Sequence, residues 1–183
     1  MFRDATNILF CTISETTAIS FRHSILSLKE TEGSWEISFT AAAPKDQQGT
    51  EKAVITFGPV SVLPALQKQG IGAALINHSL GAARAMGYQA VCIYGDPRYY
   101  HCFGFRCAEK FDIKTADDKY AVALLALELK PGALSNSAGR FVESAAFAVD
   151  EQQFAEYDAT FAFREKSEMD SQREFRLLAS LMY

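Results

Sequence analysis

A glycine-containing turn, Gln67-Lys68-Gln69-Gly70-Ile71-Gly72, separates an extended apolar segment from an amphipathic helix in this chain. Glycine adopts backbone angles that other residues avoid, and because it has no Cβ a ligand can approach its main-chain amide closely. The first amides of a helix have no intrahelical acceptor and lie at the positive end of the helix dipole, so they favour an anion. We therefore predict that main-chain amides between Gln67 and Ala73 hold the pyrophosphate of a phosphorylated cofactor.

A second segment with reactive side chains, GDPRYYHCFGF at residues 95–105, follows the next predicted strand. It contains the phenol of Tyr100, the imidazole of His101 and the thiol of Cys102. Free cysteines are commonly buried and inert, and no histidine is demonstrably paired with Cys102, so we interpret it as structural. His101 is one candidate for a general base, although on a short helix it would face away from Tyr100. An ordered water and the carboxylates Glu36, Glu51 and Asp96 are further candidates for that base.

The composition of the chain excludes several classes of protein and site. With 183 residues, of which 49% are hydrophobic and 22% charged, the chain has the size and apolar content of one globular domain. Its formal net charge of −4 argues against nucleic-acid binding, since such proteins usually carry a basic face. The four cysteines form no C-x-x-C pair and the three histidines do not cluster, so we expect reduced thiols and no metal site. No window approaches the ~18 consecutive apolar residues of a membrane span and no signal peptide is recognisable, so we expect a soluble cytoplasmic protein without a membrane partner.

The elements around the two motifs predict a parallel βαβ unit. Residues 52–63 are rich in β-forming side chains, but Gly58-Pro59 interrupts them, which suits a bulge or kink rather than an uninterrupted strand. Apolar residues recur at helical spacing over 70–86, ahead of Gly87 at a typical helix stop. Residues 89–94 then predict a short buried strand, and such a crossover is nearly always right-handed. This order places the glycine turn at the carboxyl end of the first strand.

The remaining segments give weaker patterns. Residues 97–103 predict a short helix, because Pro97 suits a helix start. Residues 111–115 and 120–129 predict a hairpin with a turn at 116–119, although the apolar second run also suits a buried helix. Further expectations are strands at 7–13 and 35–40, a helix at 17–29, a loop at 44–50, a strand within 139–149, and helices at 151–157 and 165–182.

Together the two motifs resemble the GNAT superfamily of acetyl-coenzyme A-dependent N-acetyltransferases, over about residues 51–158. In that family a Q/R-x-x-G-x-G/A turn, matched here by Gln67–Gly72, is implied to hold the pyrophosphate of coenzyme A. A tyrosine four residues before a Gly-Phe pair usually follows, and Tyr100 precedes Gly104 in this way. The run G-D-P-x-Y-Y-x-x-F-G-F is similar to a subgroup of predicted acetyltransferases. The resemblance implies the GNAT fold, an α/β (α+β) architecture in which a mixed sheet, flanked by helices, splays at a bulged strand.

The resemblance also implies how the cofactor and the tyrosine act. The pantetheine arm of acetyl-CoA would pair, as a peptide pairs with a sheet edge, with main-chain groups of Val60, Ser61 and Val62. A neutral amine would attack the thioester directly in a ternary complex, and Tyr100 would protonate the departing thiolate. A phenol with a pKa near 10 suits a thiol with a pKa near 8.5, either as proton donor or as hydrogen-bond stabiliser. In the competing interpretation, Tyr100 is only a buried ring packed on Phe103 and Phe105, and Tyr99 is interpreted as a packing residue.

Two different functions remain open besides acetyl transfer. A dinucleotide-binding oxidoreductase also places glycines after a strand, with Asp96 near the position of its ribose-binding carboxylate. Against this interpretation, Leu75 stands where the third glycine belongs, and seven residues, 63–69, separate the strand from the first glycine. The other alternative function is an acyl-CoA-binding module without catalysis.

We expect one GNAT-like domain over residues 1–183, with 51–130 as its acetyl-CoA-binding core. Residues 1–50 form an atypical N-terminal part in this division, and 131–183 form a C-terminal extension. Because the N-terminal part does not match the family, the acceptor is expected only as a small-molecule amine or a protein amino group. The apolar cluster near the end of the chain would cover the core or a second subunit, which keeps a homodimer open; it comprises Leu177, Leu178, Leu181 and Met182.

Overall fold

The computed structural model describes residues 25–29, 35–42, 45–46, 54–143, 151–160 and 170–183. Within these ranges the elements are β1 Ile25–Lys29, β2 Trp35–Ala42, β3 Lys45–Asp46, β4 Val54–Val62, α1 Ile71–Ala85, β5 Ala90–Tyr94, α2 Pro97–Tyr100, β6 Arg106–Cys107, β7 Ile113–Lys114, β8 Leu124–Glu128, β9 Gly139–Arg140, α3 Glu151–Asp158 and α4 Asp170–Ser180. Short 3₁₀ turns cover Pro64–Leu66, His101–Phe103 and Ala108–Phe111. Across these described ranges, no helix combines the length and the hydrophobicity needed to cross a lipid bilayer.

The described strands form two sheets. The larger is mixed, with the order β1-β2-β4-β5-β8-β6, in which β4 and β5 are parallel and the remaining neighbours antiparallel. The smaller has the order β3-β9-β7, with β7 and β9 parallel. The strands β1 and β2, which precede residue 50, therefore belong to the same sheet as β4 and β5.

The segment β4-α1-β5 forms the predicted βαβ unit. Side chains alternate along a strand, so every second residue of β4 and β5 faces α1; these are Ile55, Phe57, Val91 and Ile93. The helix buries against them the residues that recur at helical spacing, Leu75, Ile76, Leu80 and Ala83. Gly87, at a φ of 87°, follows the helix end as predicted. The opposite face of the sheet packs on the segment after β6 through Val54, Cys92, Leu124, Ile113, Leu134 and Phe141.

Several predicted elements differ from the structure. Residues 25–29 form the strand β1, so the carboxyl-terminal end of the helix predicted at 17–29 is wrong. The predicted loop at 44–50 contains the strand β3. The turn at 116–119 is present, but the hairpin is wrong, because β7 pairs with β9 whereas β8 pairs with β5 and β6. The strand rather than the helix is confirmed within 120–129.

Further predictions are confirmed or lie outside the described residues. The strand predicted at 35–40 and the helix predicted at 151–157 are confirmed as β2 and α3. Within 139–149 the structure forms only the short β9 up to residue 140, and residues 144–150 lie outside the described ranges. The helix predicted at 165–182 is confirmed as α4 over 170–180. Three predicted segments lie outside the described residues: the strand at 7–13, residues 17–24 of the first helix, and residues 165–169 of the last helix.

The end of the chain packs on its own fold. Tyr183 and Tyr120 exchange two main-chain hydrogen bonds of 2.9 and 3.0 Å, and the Val122 amide donates to the Leu181 carbonyl at 3.1 Å. The Tyr183 hydroxyl donates to the Glu109 carboxylate at 2.6 Å. These contacts hold the tail, and with it the end of α4, against the segment that precedes β8.

Candidate functional site

The predicted break in β4 is a β-bulge. In the pairing of β2 with β4, Ile37 lies opposite Val60 and Phe39 lies opposite Phe57. Two residues, Gly58-Pro59, therefore face a single residue of β2, which defines a bulge. Gly58 has a φ of 155°, an angle that residues with a side chain rarely adopt. The bulge turns the second half of β4 away from the line of the first half.

The strands β4 and β5 are hydrogen-bonded to each other only at their amino-terminal ends. Their parallel ladder comprises Val54 opposite Ala90 and Ile55 opposite Val91. From there β4 pairs with β2 as far as Val62, while β5 pairs with β8 as far as Tyr94. The facing edges of residues 56–62 and 92–94 thus enclose a gap, which we call the slot. Val60, Ser61 and Val62, the residues predicted to pair with the cofactor, all lie on the β4 edge of the slot.

The glycine turn follows directly from the slot. A 3₁₀ turn leads from β4 to Gln67. The Gln67 Nε2 donates a hydrogen bond to the carbonyl oxygen of Val62, the last residue of β4, at 3.0 Å. Gly70 is the N-cap of α1 at a φ of 83°, in the left-handed region, and has no side chain to cap the helix. The first helical hydrogen bond runs from the Ala74 amide to the Gly70 carbonyl at 2.9 Å.

The rest of the predicted cradle lies around that helix start. The amides of Ile71, Gly72 and Ala73 precede the first α-helical hydrogen bond, so they belong to the group that a helix leaves without an internal acceptor. A Cβ added to Gly72 would lie 3.9 Å from Cγ2 of Val62, which places these amides at the mouth of the slot. The preceding turn residues Lys68 and Gln69 are exposed, and Gln69 Nε2 donates to the Ala65 carbonyl at 3.2 Å.

Tyr100 lies on the α1 side of the sheet, at the end of α2. The Asp96 carboxylate caps this helix by accepting from the Arg98 amide at 2.8 Å, and Pro97 occupies the first turn. The Tyr100 ring contacts Phe57, Phe103 and Phe105, with ring centroids 5.7 to 6.2 Å apart. Burial raises the pKa of Tyr100 to about 12. The phenol is therefore packed as the competing interpretation requires, and it keeps its proton throughout the neutral range.

Tyr99 has a contact that the sequence interpretation missed. Its ring packs on Tyr100 and Phe103, as expected, with centroids 5.0 and 5.5 Å apart. Its hydroxyl, however, lies 3.6 Å from the position that a Cβ on Gly72 would take. Consecutive helical residues point about 100° apart, so when Tyr100 faces the core its neighbour can face the start of α1. The adjacency of Tyr99 and Tyr100 on a predicted helix was therefore the sequence signal that could have placed the Tyr99 hydroxyl near the glycine turn.

Gly95 is the residue that makes room for the Tyr100 ring. A Cβ at this position would lie 2.5 Å from Cε2 and 2.7 Å from Cδ2 of Tyr100, and Phe57 and Phe105 pack against the same ring. We expect Gly95→Ala to lower the free energy of unfolding by about 1–3 kcal/mol through overpacking. Urea denaturation measures this change. The matched control is Gly81→Ala in α1, where an added Cβ meets nothing within 4 Å and should stabilise by about 0.5–1 kcal/mol; equal midpoints for both variants would contradict the packing.

The remaining polar side chains of the motif bond to nearby groups. Cys102 is exposed rather than buried as expected, and its thiol donates to the Tyr99 carbonyl at 3.0 Å. Nδ1 of His101 lies 2.7 Å from the Arg98 carbonyl oxygen, so that nitrogen carries the proton. The hydrogen bond from Arg98 is the main reason that the pKa of Asp96 is lowered, and this pairing leaves Asp96 poorly suited to act as a base. Glu36 lies opposite Ser61 in the ladder, while Glu51 and Cys11 fall outside the described residues.

No metal centre is formed by the part of the chain that the structure describes, since no three potential ligands cluster there. Cys92, Cys102 and Cys107 carry free thiols, and burial raises the pKa of Cys92 to about 12. The features that stand out are therefore the slot, the helix start beside it, and the two tyrosines.

Comparison with solved structures identifies the architecture. The chain is similar to the GNAT family N-acetyltransferase YhbS from Escherichia coli in complex with CoA, with 24% identity, a TM-score of 0.59, and coverage of 78% of this chain and 77% of that one. It is also similar to a GNAT family acetyltransferase from Brucella melitensis in complex with acetyl-CoA, with 27% identity, a TM-score of 0.51, and coverage of 79% and 76%. No protein-family model and no curated protein matches the chain. The likeness, together with the bulged and parted β4, shows that the protein has the GNAT fold predicted from its sequence.

Proposed function

We propose that the protein is an acyltransferase that transfers the acetyl group of acetyl-CoA to a primary amine. The observation that carries the proposal is the slot: the β4–β5 ladder ends after two residue pairs, and the start of α1 adjoins the opening. An extended chain with amide groups can pair with the strand edge at residues 60–62, while a diphosphate suits the helix start next to it. Acetyl-CoA contains both parts, and the two solved structures named above are complexes with CoA and with acetyl-CoA.

In this proposal the pantetheine arm lies in the slot along the main chain of residues 60–62. The pyrophosphate lies against the amides at the start of α1, flanked by residues 67–70 of the exposed turn. The Gln67 side chain already engages the Val62 carbonyl, so it fixes the end of β4 while leaving the amides of Ile71 and Gly72 for the anion. Acetyl-CoA supplies the activated acetyl group, and the chain supplies its position and the surroundings of the thioester.

The chemistry is direct attack by a neutral amine. The nitrogen lone pair forms the new C–N bond, and the C–S bond breaks with its electron pair leaving on the sulfur. The proton that the nitrogen then releases is taken up by this thiolate, which leaves as the CoA thiol. Tyr100 is the proposed partner of that thiolate. Because burial holds its pKa at about 12, well above the ordinary thiol value of about 8.5, Tyr100 acts best as a hydrogen-bond donor that stabilises the developing charge.

Two features count against a dinucleotide-binding oxidoreductase. The carboxylate proposed for the ribose, Asp96, is bonded to the Arg98 guanidinium at 2.6 Å and caps α2. The parallel strands also part where a dinucleotide fold would continue its ladder. The proposed acceptor is a small-molecule amine or a protein amino group.

Calorimetric titration of the protein with acetyl-CoA and, separately, with NAD tests the proposed function. We expect saturable binding of acetyl-CoA, with a Kd between about 1 µM and 1 mM as is usual for enzyme substrates, and no binding of NAD. Binding of NAD without binding of acetyl-CoA would overturn the proposal and restore the oxidoreductase.

A further inference from the structure

An open cavity of about 510 Å³ lies beside the middle of β4 and the carboxyl end of β5. Residues 56–58 of β4 form one wall, and Tyr94, the last residue of β5, forms the wall across the slot. Phe175 and Ala179 of α4 line a further wall, and Glu143 contributes a carboxylate. The volume is in the range that holds a small organic molecule, which is usually oriented by a few polar groups among apolar ones.

The cavity adjoins the slot from the side away from α1. The Tyr94 ring belongs to the cluster on the opposite sheet face, where it packs on Phe141 with centroids 6.1 Å apart. Gly58, at the bulge, and Tyr94 border both the slot and the cavity. This inference rests on the proposed function: a thioester placed in the slot would be open to a second substrate that occupies the cavity.

Glu143 is the ionisable acid of this cavity. The side chain is solvent-accessible, and the partial burial that it does undergo raises its pKa. Its negative charge also reaches the phenol of Tyr94, whose pKa is raised to about 12 first by burial and then by Glu143, with smaller effects from Asp117 and Cys92. Within the described residues no hydrogen bond or ion pair engages the Glu143 carboxylate, in contrast to that of Asp96.

The wall formed by α4 is tied to the helix that carries Tyr100. Arg98 Nη2 lies 2.6 Å from the Asp96 carboxylate and 2.6 Å from that of Glu174 on α4. Arg98 and Glu174 are both exposed, so their ion pair contributes little to stability. Phe175, the residue after Glu174 on α4, is one of the residues that line the cavity.

We propose that this cavity binds a primary amine with an aromatic or similarly bulky apolar body, and that Glu143 binds its ammonium group and accepts its proton. The rings of Tyr94 and Phe175 and the methyl group of Ala179 match an apolar body. A single carboxylate among the lining residues matches one positive charge rather than a polyamine or an aminoglycoside. The first proton passes from the ammonium to the Glu143 carboxylate, and the freed nitrogen lone pair attacks the thioester carbonyl. As the C–S bond breaks, the second proton leaves the nitrogen and is taken up by the departing thiolate, so the products are the N-acetylated amine and the CoA thiol.

The test uses 2-phenylethylamine as the probe, with the full chain. We expect the protein to acetylate it, and Glu143→Gln to lower kcat/KM for the amine by roughly a hundredfold while the Kd of acetyl-CoA changes less than twofold. The matched control is Glu156→Gln on α3, which removes an exposed carboxylate that is not among these lining residues and should leave the rate unchanged. Spermidine should be a poorer substrate than 2-phenylethylamine.

A second measurement does not depend on turnover. Saturation-transfer NMR should detect 2-phenylethylamine on the protein and not its neutral analogue 2-phenylethanol. The signal should be lost in Glu143→Gln and in Ala179→Trp, which fills the cavity. A wild-type rate in Glu143→Gln, a preference for spermidine, or absence of binding by the probe would overturn the inference. Failure of acetyl-CoA to bind the wild-type protein would instead defeat the proposed function, and the NMR signal would still decide whether the cavity takes an amine.

Discussion

Replacing Tyr100 with phenylalanine should slow acetyl transfer by about 10²–10³-fold while leaving the Kd of acetyl-CoA within a factor of two. The variant keeps the ring, and with it the contacts to Gly95, Phe57 and Phe105, so the fold and the slot are preserved. What it loses is the hydroxyl that would stabilise the departing thiolate. Stopped-flow detection of the released thiol at saturating amine measures the rate, and calorimetry measures the affinity.

Tyr99→Phe is the matched control, since it removes the same group from the adjacent residue. The Tyr99 hydroxyl reaches the start of α1, so we expect its loss to raise the KM for acetyl-CoA a few-fold and to leave kcat nearly unchanged. An unchanged kcat in Tyr100→Phe together with a large loss in Tyr99→Phe would exchange the two roles. An unchanged kcat in both would remove both phenols from the chemistry, whereas a wild-type protein that binds acetyl-CoA without any turnover would support the binding module.

The pH dependence follows from the same burial. Burial raises the pKa of Tyr100 to about 12, and an acid with a raised pKa loses its proton only as the pH rises through that value. Tyr100 therefore stays a donor through neutral and moderately alkaline solution, and it should give kcat no alkaline limb below about pH 10. A limb near pH 8 or 9 that disappears in Tyr100→Phe would contradict the buried setting of this phenol.

The parts of the fold that the sequence predicted well are those set by local patterns. The bulge follows from Gly58-Pro59, because proline lacks a donor for the ladder and this glycine takes an angle that other residues avoid. The limits of α1 follow from the apolar spacing and from Gly87. In each case neighbouring residues determine the conformation, so a short window of sequence contains the necessary information.

The parts that were predicted wrongly depend on distant partners. β7 is only two residues long, and its partner β9 begins 25 residues after β7 ends, a pairing that a local pattern does not contain. Residues 25–29 form a strand because β2 provides an antiparallel partner over their whole length, which overrides their local preference. The same limit applies to the cavity, since Glu143 and α4 lie far along the chain from Tyr94.

Gly72→Val should weaken acetyl-CoA binding by about a hundredfold, which corresponds to a loss of roughly 2.8 kcal/mol. An added Cβ would meet Tyr99 Oη at 3.6 Å and Val62 Cγ2 at 3.9 Å, both ordinary contact distances, so the protein without cofactor should fold normally. The branched side chain would nevertheless cover the amides at the helix start, where the pyrophosphate must approach. Calorimetric titration with acetyl-CoA measures the change, and thermal unfolding without cofactor checks the fold.

The matched control for this variant is Gly81→Val, the same substitution on the same helix. Gly81 is exposed, and an added Cβ there meets nothing within 4 Å, so helix propensity changes as it does at Gly72 while the helix start stays bare. We expect wild-type affinity in Gly81→Val. Equal losses in the two variants would mean that α1 is disturbed as a whole, and undiminished affinity in Gly72→Val would place the pyrophosphate elsewhere. A cofactor whose pyrophosphate lies against the amides at the helix start should therefore respond to Gly72→Val and ignore Gly81→Val.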